Sequence, residues 1–129
     1  MLDLHLTQHD GVPPYLQIVT QIKQLIASGR LKADQELPAI RGLAERLLIN
    51  PNTVARAYRE LEAAGWVYSK RGSGTFVAPG TTSFSAETCR RQIREKVQAL
   101  LADAGHMNIS TRELIKLIRE VDADRSGGE

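Results

Sequence analysis

The most constraining feature of this chain is Asn50-Pro51, answered by Gly65. Asn50 is a side chain suited to cap a helix N-terminus, and Pro51 fits the first helical position, where its missing N–H costs nothing. Gly65 is the residue expected just past a helix end. Between them Val54, Ala57, Tyr58 and Leu61 recur at helical spacing. The spacing therefore predicts a helix over about 51–64 with one apolar face. Its other face carries Asn52, Arg56 and Arg59 at i, i+4 and i+7.

The same reading extends in both directions. Leu2 to Leu6 alternate apolar and polar residues, the period of a short strand. Tyr15, Ile18, Ile22, Leu25 and Ile26 mark a helix that Gly29 ends. A polar stretch, Lys32 to Glu36, precedes a short helix over about 39–47 with Ile40, Leu43, Ala44 and Leu47 inward. After Gly65, two β-prone runs, Trp66–Ser69 and Thr75–Val77, flank Lys70-Arg71-Gly72-Ser73-Gly74. Those glycines supply the positive φ a hairpin needs. Pro79 to Ser83 read as a linker. Two more amphipathic helices follow, over about 86–104 with Gly105 as its stop, and from Ser110, whose spacing to Glu113 is that of a capping box. No internal repeat is visible.

Charge is informative only when divided. Residues 1–11 carry −2, residues 12–79 carry nine Lys/Arg against five Asp/Glu, and residues 80–129 carry eight of each. The basic middle implies an anionic partner. Two helices joined by a tight turn, followed by a hairpin with a basic glycine-rich tip, form the plan of a winged helix-turn-helix. Asn and Arg make bidentate contacts to base edges, and Thr53 and Arg59 are placed to reach phosphates. Tyr58 reads as core, its hydroxyl being the one group on that stripe able to reach a phosphate. Trp66 reads as core or as a brace between wing and helix.

Leu37 to Val77 resemble the DNA-binding domain of GntR-type transcriptional regulators, and Pro14 to Ile18 with Ile26 to Leu31 match as well. The run from Asn50 to Glu62 and the short tail are most similar to the YtrA-type subfamily. The resemblance implies that Arg41, Asn52, Thr53 and Arg56 contact DNA, with Arg71 beside a wing glycine at Gly72 or Gly74. With Arg59, Lys70 and Ser73, these form the expected DNA surface. The chain departs from the family at several points. Some members have arginine where Pro51 and Ala55 stand, so base readout should differ. Ala39 replaces the usual capping serine, a loss of ~1 kcal/mol. Leu48 replaces the usual turn glycine, at a cost of ~1 kcal/mol or more if its backbone is left-handed.

The expected fold is thus mainly α with a small β wing. Residues 1–78 would be the winged helix-turn-helix, and residues 79–129 a linker plus a two-helix dimerisation region. The tail stripes (Ile93, Val97, Leu100, Leu101, Leu114, Ile118 and Val121) cannot all be buried between two helices of this length. A second copy would cover them, and a two-fold dimer would suit a palindromic operator. The reading is a homodimeric, sequence-specific repressor on double-stranded DNA. The alternative is a small architectural or partner-recruiting protein with little sequence preference.

Other classes fit poorly. No apolar run reaches the ~20 residues of a membrane span, and no secretory signal is visible. With the single Cys89, this points to a cytoplasmic, nucleoid-associated protein. No nucleophile–base set, phosphate-cradling motif or metal-ligand cluster occurs, so no enzyme, cofactor or metal is expected. His5 and His9 share helical spacing but lie on an alternating segment without a common face. Cys89, beside Arg90 and Arg91, reads as an ordinary residue, and Arg90, Arg91 and Arg94 as a solvated face. His106 reads as a solvent-facing loop residue. A small-molecule effector in the dimer interface stays open, although no convergent polar pocket can be read from the tail.

Overall fold

Local signals set the helices. The computed structural model describes residues 2–8, 11–79 and 86–127. Its elements are α1 (Pro14–Ala27), α2 (Ile40–Leu47), α3 (Pro51–Ala63), β1 (Val67–Lys70), β2 (Gly74–Val77), α4 (Ala86–His106) and α5 (Thr111–Gly127). They fall into two compact units, Met1–Ser85 and Ala86–Glu129.

In the first unit α1 and α2 each pack on α3. Ile18, Ile22, Leu43, Val54, Leu61 and Val77 are the largest fully enclosed side chains. Each such burial contributes about 1.5–3 kcal/mol. Asn50 caps α3, its Oδ1 accepting from the Asn52 N–H at 2.8 Å. Pro51 opens the helix, and Gly65 follows it at φ 85°. Gly29 follows α1 in the same way, at φ 82°.

The hairpin is antiparallel, with Val67 opposite Val77, Tyr68 opposite Phe76 and Lys70 opposite Gly74. Gly72 sits at its tip at φ 78°. The Tyr68 and Phe76 rings stack at 5.5 Å between centroids. The polar stretch before α2 does more than connect. Asp34 N–H donates to Val77 O at 2.8 Å, Val77 N–H to Gln35 O at 2.9 Å, and Leu37 N–H to Thr75 O at 2.8 Å. Residues 34–37 thus line the free edge of β2. Their composition hides this, because the pairing needs only backbone.

The N-terminal alternation is real, but no strand forms at residues 2–6. Leu2 and Leu4 are buried and Asp3 and His5 exposed, as a strand would place them. Among the described residues no strand pairs with it, and glutamine amides of α1 take that place. Gln21 Oε1 accepts from His5 N–H at 3.1 Å and its Nε2 donates to His5 O at 2.6 Å. Gln17 accepts from Thr7 N–H at 2.8 Å and donates to the carbonyls of Thr7 at 2.7 Å and Val12 at 2.8 Å. Arg46 ties the segment to α2 by donating to Leu2 O at 2.6 Å. His9 and Asp10 lie outside the described residues.

This arrangement predicts a contrast. Replacing buried Gln17 by leucine leaves three backbone groups without partners and should cost about 2–3 kcal/mol. Replacing Gln21, whose bonds are exposed, should cost under about 1 kcal/mol. Urea midpoints of the two variants measure the difference.

Leu48 does hold the left-handed conformation, at φ 58° and ψ 47°, with its side chain 90% exposed. A β-carbon there costs about 1–2 kcal/mol, and glycine's extra unfolded-state entropy returns about half of that. Leu48→Gly is therefore expected to stabilise the fold by about 0.5–1 kcal/mol. A rise in the thermal midpoint of a few degrees would register it.

In the second unit Gly105 does not stop α4. The helix runs on to His106, and Asn108 takes the left-handed turn at φ 62°, with Ile109 N–H bonding back to Ala104 O at 2.8 Å. A helical glycine costs only about 1 kcal/mol, so it need not end a helix. Of the expected capping box at the start of α5 the Ser110 half is present, while Glu113 meets the Ser110 hydroxyl and not its backbone N–H. Glu113 N–H donates to Ser110 Oγ at 3.2 Å, and that hydroxyl donates to Glu113 Oε1 at 3.3 Å. Ala104 and Leu114 are buried in this hairpin. Ile93, Val97, Leu100, Leu101, Ile118 and Val121 stay exposed within the chain.

Candidate nucleic-acid interface

The apolar stripe of α3 determines which of its residues face outward. Val54, Ala57 and Leu61 have no exposed surface, so Asn52, Arg56 and Arg59 are turned to the opposite side. Thr53 is half-buried at the edge. A concavity of about 650 Å³ lies between the start of α1 and the first half of α3. Asn50, Asn52, Thr53, Arg56 and Arg59 line one side, and Pro13, Pro14 and Tyr15 the other. The Arg56 guanidinium carbon lies 3.7 Å from the centre of the Tyr15 ring. Its Nε is 3.9 Å from Glu60 Oε1, an exposed pair of little energetic weight.

Arg41 is exposed in the first turn of α2 but does not line the concavity. Lys70, Arg71, Gly72, Ser73 and Gly74 are all exposed at the hairpin end. Gly74 has φ 128°, and a β-carbon there would lie 2.8 Å from Glu36 Oε2. The wing is tied to α3. Glu62 accepts from the Ser69 N–H at 2.9 Å and from its hydroxyl at 3.2 Å. It is tied also to the polar stretch, because the Tyr68 hydroxyl donates to Asp34 Oδ1 at 2.8 Å. That hydrogen bond to a carboxylate raises the Tyr68 pKa above the usual phenol range.

Tyr58 is a core residue. Its hydroxyl donates to Pro38 O at 2.8 Å and so is spent on fixing the Leu-Pro entry to α2. Burial pushes its pKa up, with Arg46 opposing weakly. Trp66 packs against the core, and Lys23 Nζ lies 5.7 Å over its ring. Among the described residues no group of His, Cys, Asp and Glu could hold a metal ion. No described helix is long and apolar enough to cross a membrane.

Sequence reasoning missed Tyr15 and Glu62. Tyr15 was legible only as part of the α1 stripe, and Glu62 only as a surface acid. Neither has a local signal, because each acts on a residue of another element.

The arrangement has relatives. Residues 14–77 match the model described as "Bacterial regulatory proteins, gntR family". The chain is 33% identical over 126 residues to the HTH-type transcriptional repressor YtrA of Bacillus subtilis, covering 98% of this chain and 97% of that protein. The chain belongs to the gntR family. This GntR protein is a transcription regulator and not an enzyme, and its full-length similarity is to a YtrA-type member. Among solved structures it is similar to a transcriptional antiterminator from Listeria monocytogenes EGD-e, at TM-score 0.60 and 31% identity over 95% of this chain and 92% of that one. It is also similar to the AraR DNA-binding domain in complex with operator ORE1, at TM-score 0.51 and 29% identity over 60% of this chain and 95% of that one. The fold is a winged helix with a small helical tail.

Proposed function

We propose that this GntR regulator is a sequence-specific repressor that binds a palindromic operator as a homodimer in the cytoplasm, at the nucleoid. The observation that carries this reading is the division of α3 into two faces. One face is wholly buried, and the other presents Asn52, Arg56 and Arg59, in the same unit as the exposed Lys70–Arg71 hairpin end.

In this reading α3 enters the major groove. Asn52 and Arg56 read base edges, and Thr53 and Arg59 hold phosphates. Arg41 contacts the backbone at the start of α2. Lys70 and Arg71 neutralise phosphates at the wing, where Gly72, Ser73 and Gly74 let the main chain approach closely. Glu62 and Asp34 support it by bracing the wing against the rest of residues 1–78. Residues 79–129 supply the dimer through Ile93, Val97, Leu100, Leu101, Ile118 and Val121, while Leu114 closes each protomer's own hairpin. The operator bound by the AraR domain supports DNA as the ligand. The YtrA relative supports repression as the outcome.

Selection from a random duplex pool, with the mass of the complex measured alongside, tests this. A palindromic consensus held by two chains is the expected result. Binding that enriches no sequence and vanishes as salt rises would replace it with an architectural role.

A further inference from the structure

From the placement of the Arg56 guanidinium over the Tyr15 ring, we infer that Tyr15 is a positioning residue for base readout: it holds Arg56 in the orientation that reads a guanine. This rests on the proposed operator binding and adds the residue that sets its selectivity. An exposed arginine has several rotatable bonds and samples many directions, so ordering it on DNA costs entropy. Here that freedom is already restricted. The guanidinium carbon is at van der Waals distance, 3.7 Å, from the ring centre. Cation–π attraction acts out to about 6 Å, so this contact lies well within range. Glu60 approaches Nε at 3.9 Å. The ring covers one face of the guanidinium and Glu60 meets its Nε, and neither contact engages the edge formed by the two terminal nitrogens. That edge is the fork that pairs with guanine O6 and N7.

The platform is itself rigid. Tyr15 is the second residue of α1, directly after Pro13-Pro14, and it is half-buried against the core. Leu16 N–H and Gln17 N–H both bond back to Pro13 O, at 3.0 and 3.1 Å, and fix the turn that carries it. Arg56 and Tyr15 belong to α3 and α1, which pack together through Ile18, Val54 and their neighbours. The direction of the reading arginine is thereby coupled to helix packing and not to α3 alone.

The test is operator selection and affinity for the full chain carrying Tyr15→Leu, Tyr15→Phe, Arg56→Ala and the Tyr15→Leu/Arg56→Ala pair. Tyr15→Leu should lower affinity about threefold per half-site, roughly tenfold for two. It should also flatten the preference at one base-pair position per half-site and leave the salt slope unchanged. Tyr15→Phe keeps the ring and should restore both affinity and preference. In the Arg56→Ala background Tyr15→Leu should add no further loss. The preference ratio does not depend on the folded fraction, so a less stable leucine variant still reports.

Three results would overturn the assignment: an unchanged preference in Tyr15→Leu, a further loss in the Arg56→Ala background, or a Phe variant as impaired as the Leu one. The last would assign the effect to the hydroxyl. If the wild-type chain enriches no operator, the proposed function fails and takes this inference with it. If it does, and Tyr15→Leu reads that operator alike, the positioning role alone falls.

Discussion

Arg56→Ala is expected to weaken binding to the selected operator by about 30-fold or more, with no comparable loss on random duplex. A bidentate arginine–guanine contact carries about 1–3 kcal/mol of discrimination, and a dimer makes it twice. The fold should survive. Arg56 is exposed, and among the described residues it makes one ring contact and one surface ion pair at long distance. Arg41→Ala is the control with a different signature. If Arg41 holds a phosphate, its loss should weaken specific and random duplexes alike and reduce the salt slope by about 1 per contact. Fluorescence anisotropy at several salt concentrations separates the two. Wild-type behaviour from both variants would refute the proposed DNA surface.

If the tail forms the proposed dimer, placing aspartate at Val97 or Ile118 should give monomers and reduce operator affinity by 100-fold or more. Within one chain Val97 is 46% exposed and Ile118 51% exposed, as part of a stripe running along both tail helices. A folded chain seldom leaves this many large apolar residues uncovered on two neighbouring helices. A charge buried at a two-fold interface costs several kcal/mol and appears twice per dimer. Loss of the dimer then removes the linkage between the two half-sites, whose local concentration is what raises a weak single contact to tight binding. The first unit should keep its unfolding transition, because both substitutions lie outside it. Sedimentation measures the mass and anisotropy the affinity. Variants that stay dimeric would move the interface elsewhere.

Much of this was legible because it is local. Asn50, Pro51 and Gly65 bound α3 within a few residues of themselves, and the side-chain and backbone preferences that do so act over one helical turn. Ser110 and Glu113 start α5 in the same way. The two-faced character of α3 follows from its period, so Asn52, Arg56 and Arg59 could be placed outward before any coordinate was known. The left-handed Leu48 was legible as a residue standing where the family carries glycine.

What tertiary structure alone decided involves residues far apart in the chain. The alternation of Leu2 to Leu6 specifies which side chains are buried, but a strand needs a partner, and here the partner is a pair of glutamine side chains on α1. Residues 34–37 carry no strand signal and yet edge the sheet, since backbone groups pair without regard to side chain. Gly105 marks a place where α4 could end. The helix runs on to His106 and the chain turns at Asn108 instead, where Ala104 and Leu114 can be buried together. Tyr15 acquires a role only when α1 packs on α3 and brings its ring beneath Arg56. The sequence by itself determined which elements form and which faces they bury, because those preferences are short-ranged. The tertiary structure decided which exposed groups are held in place, because that depends on what packing brings within a few ångströms.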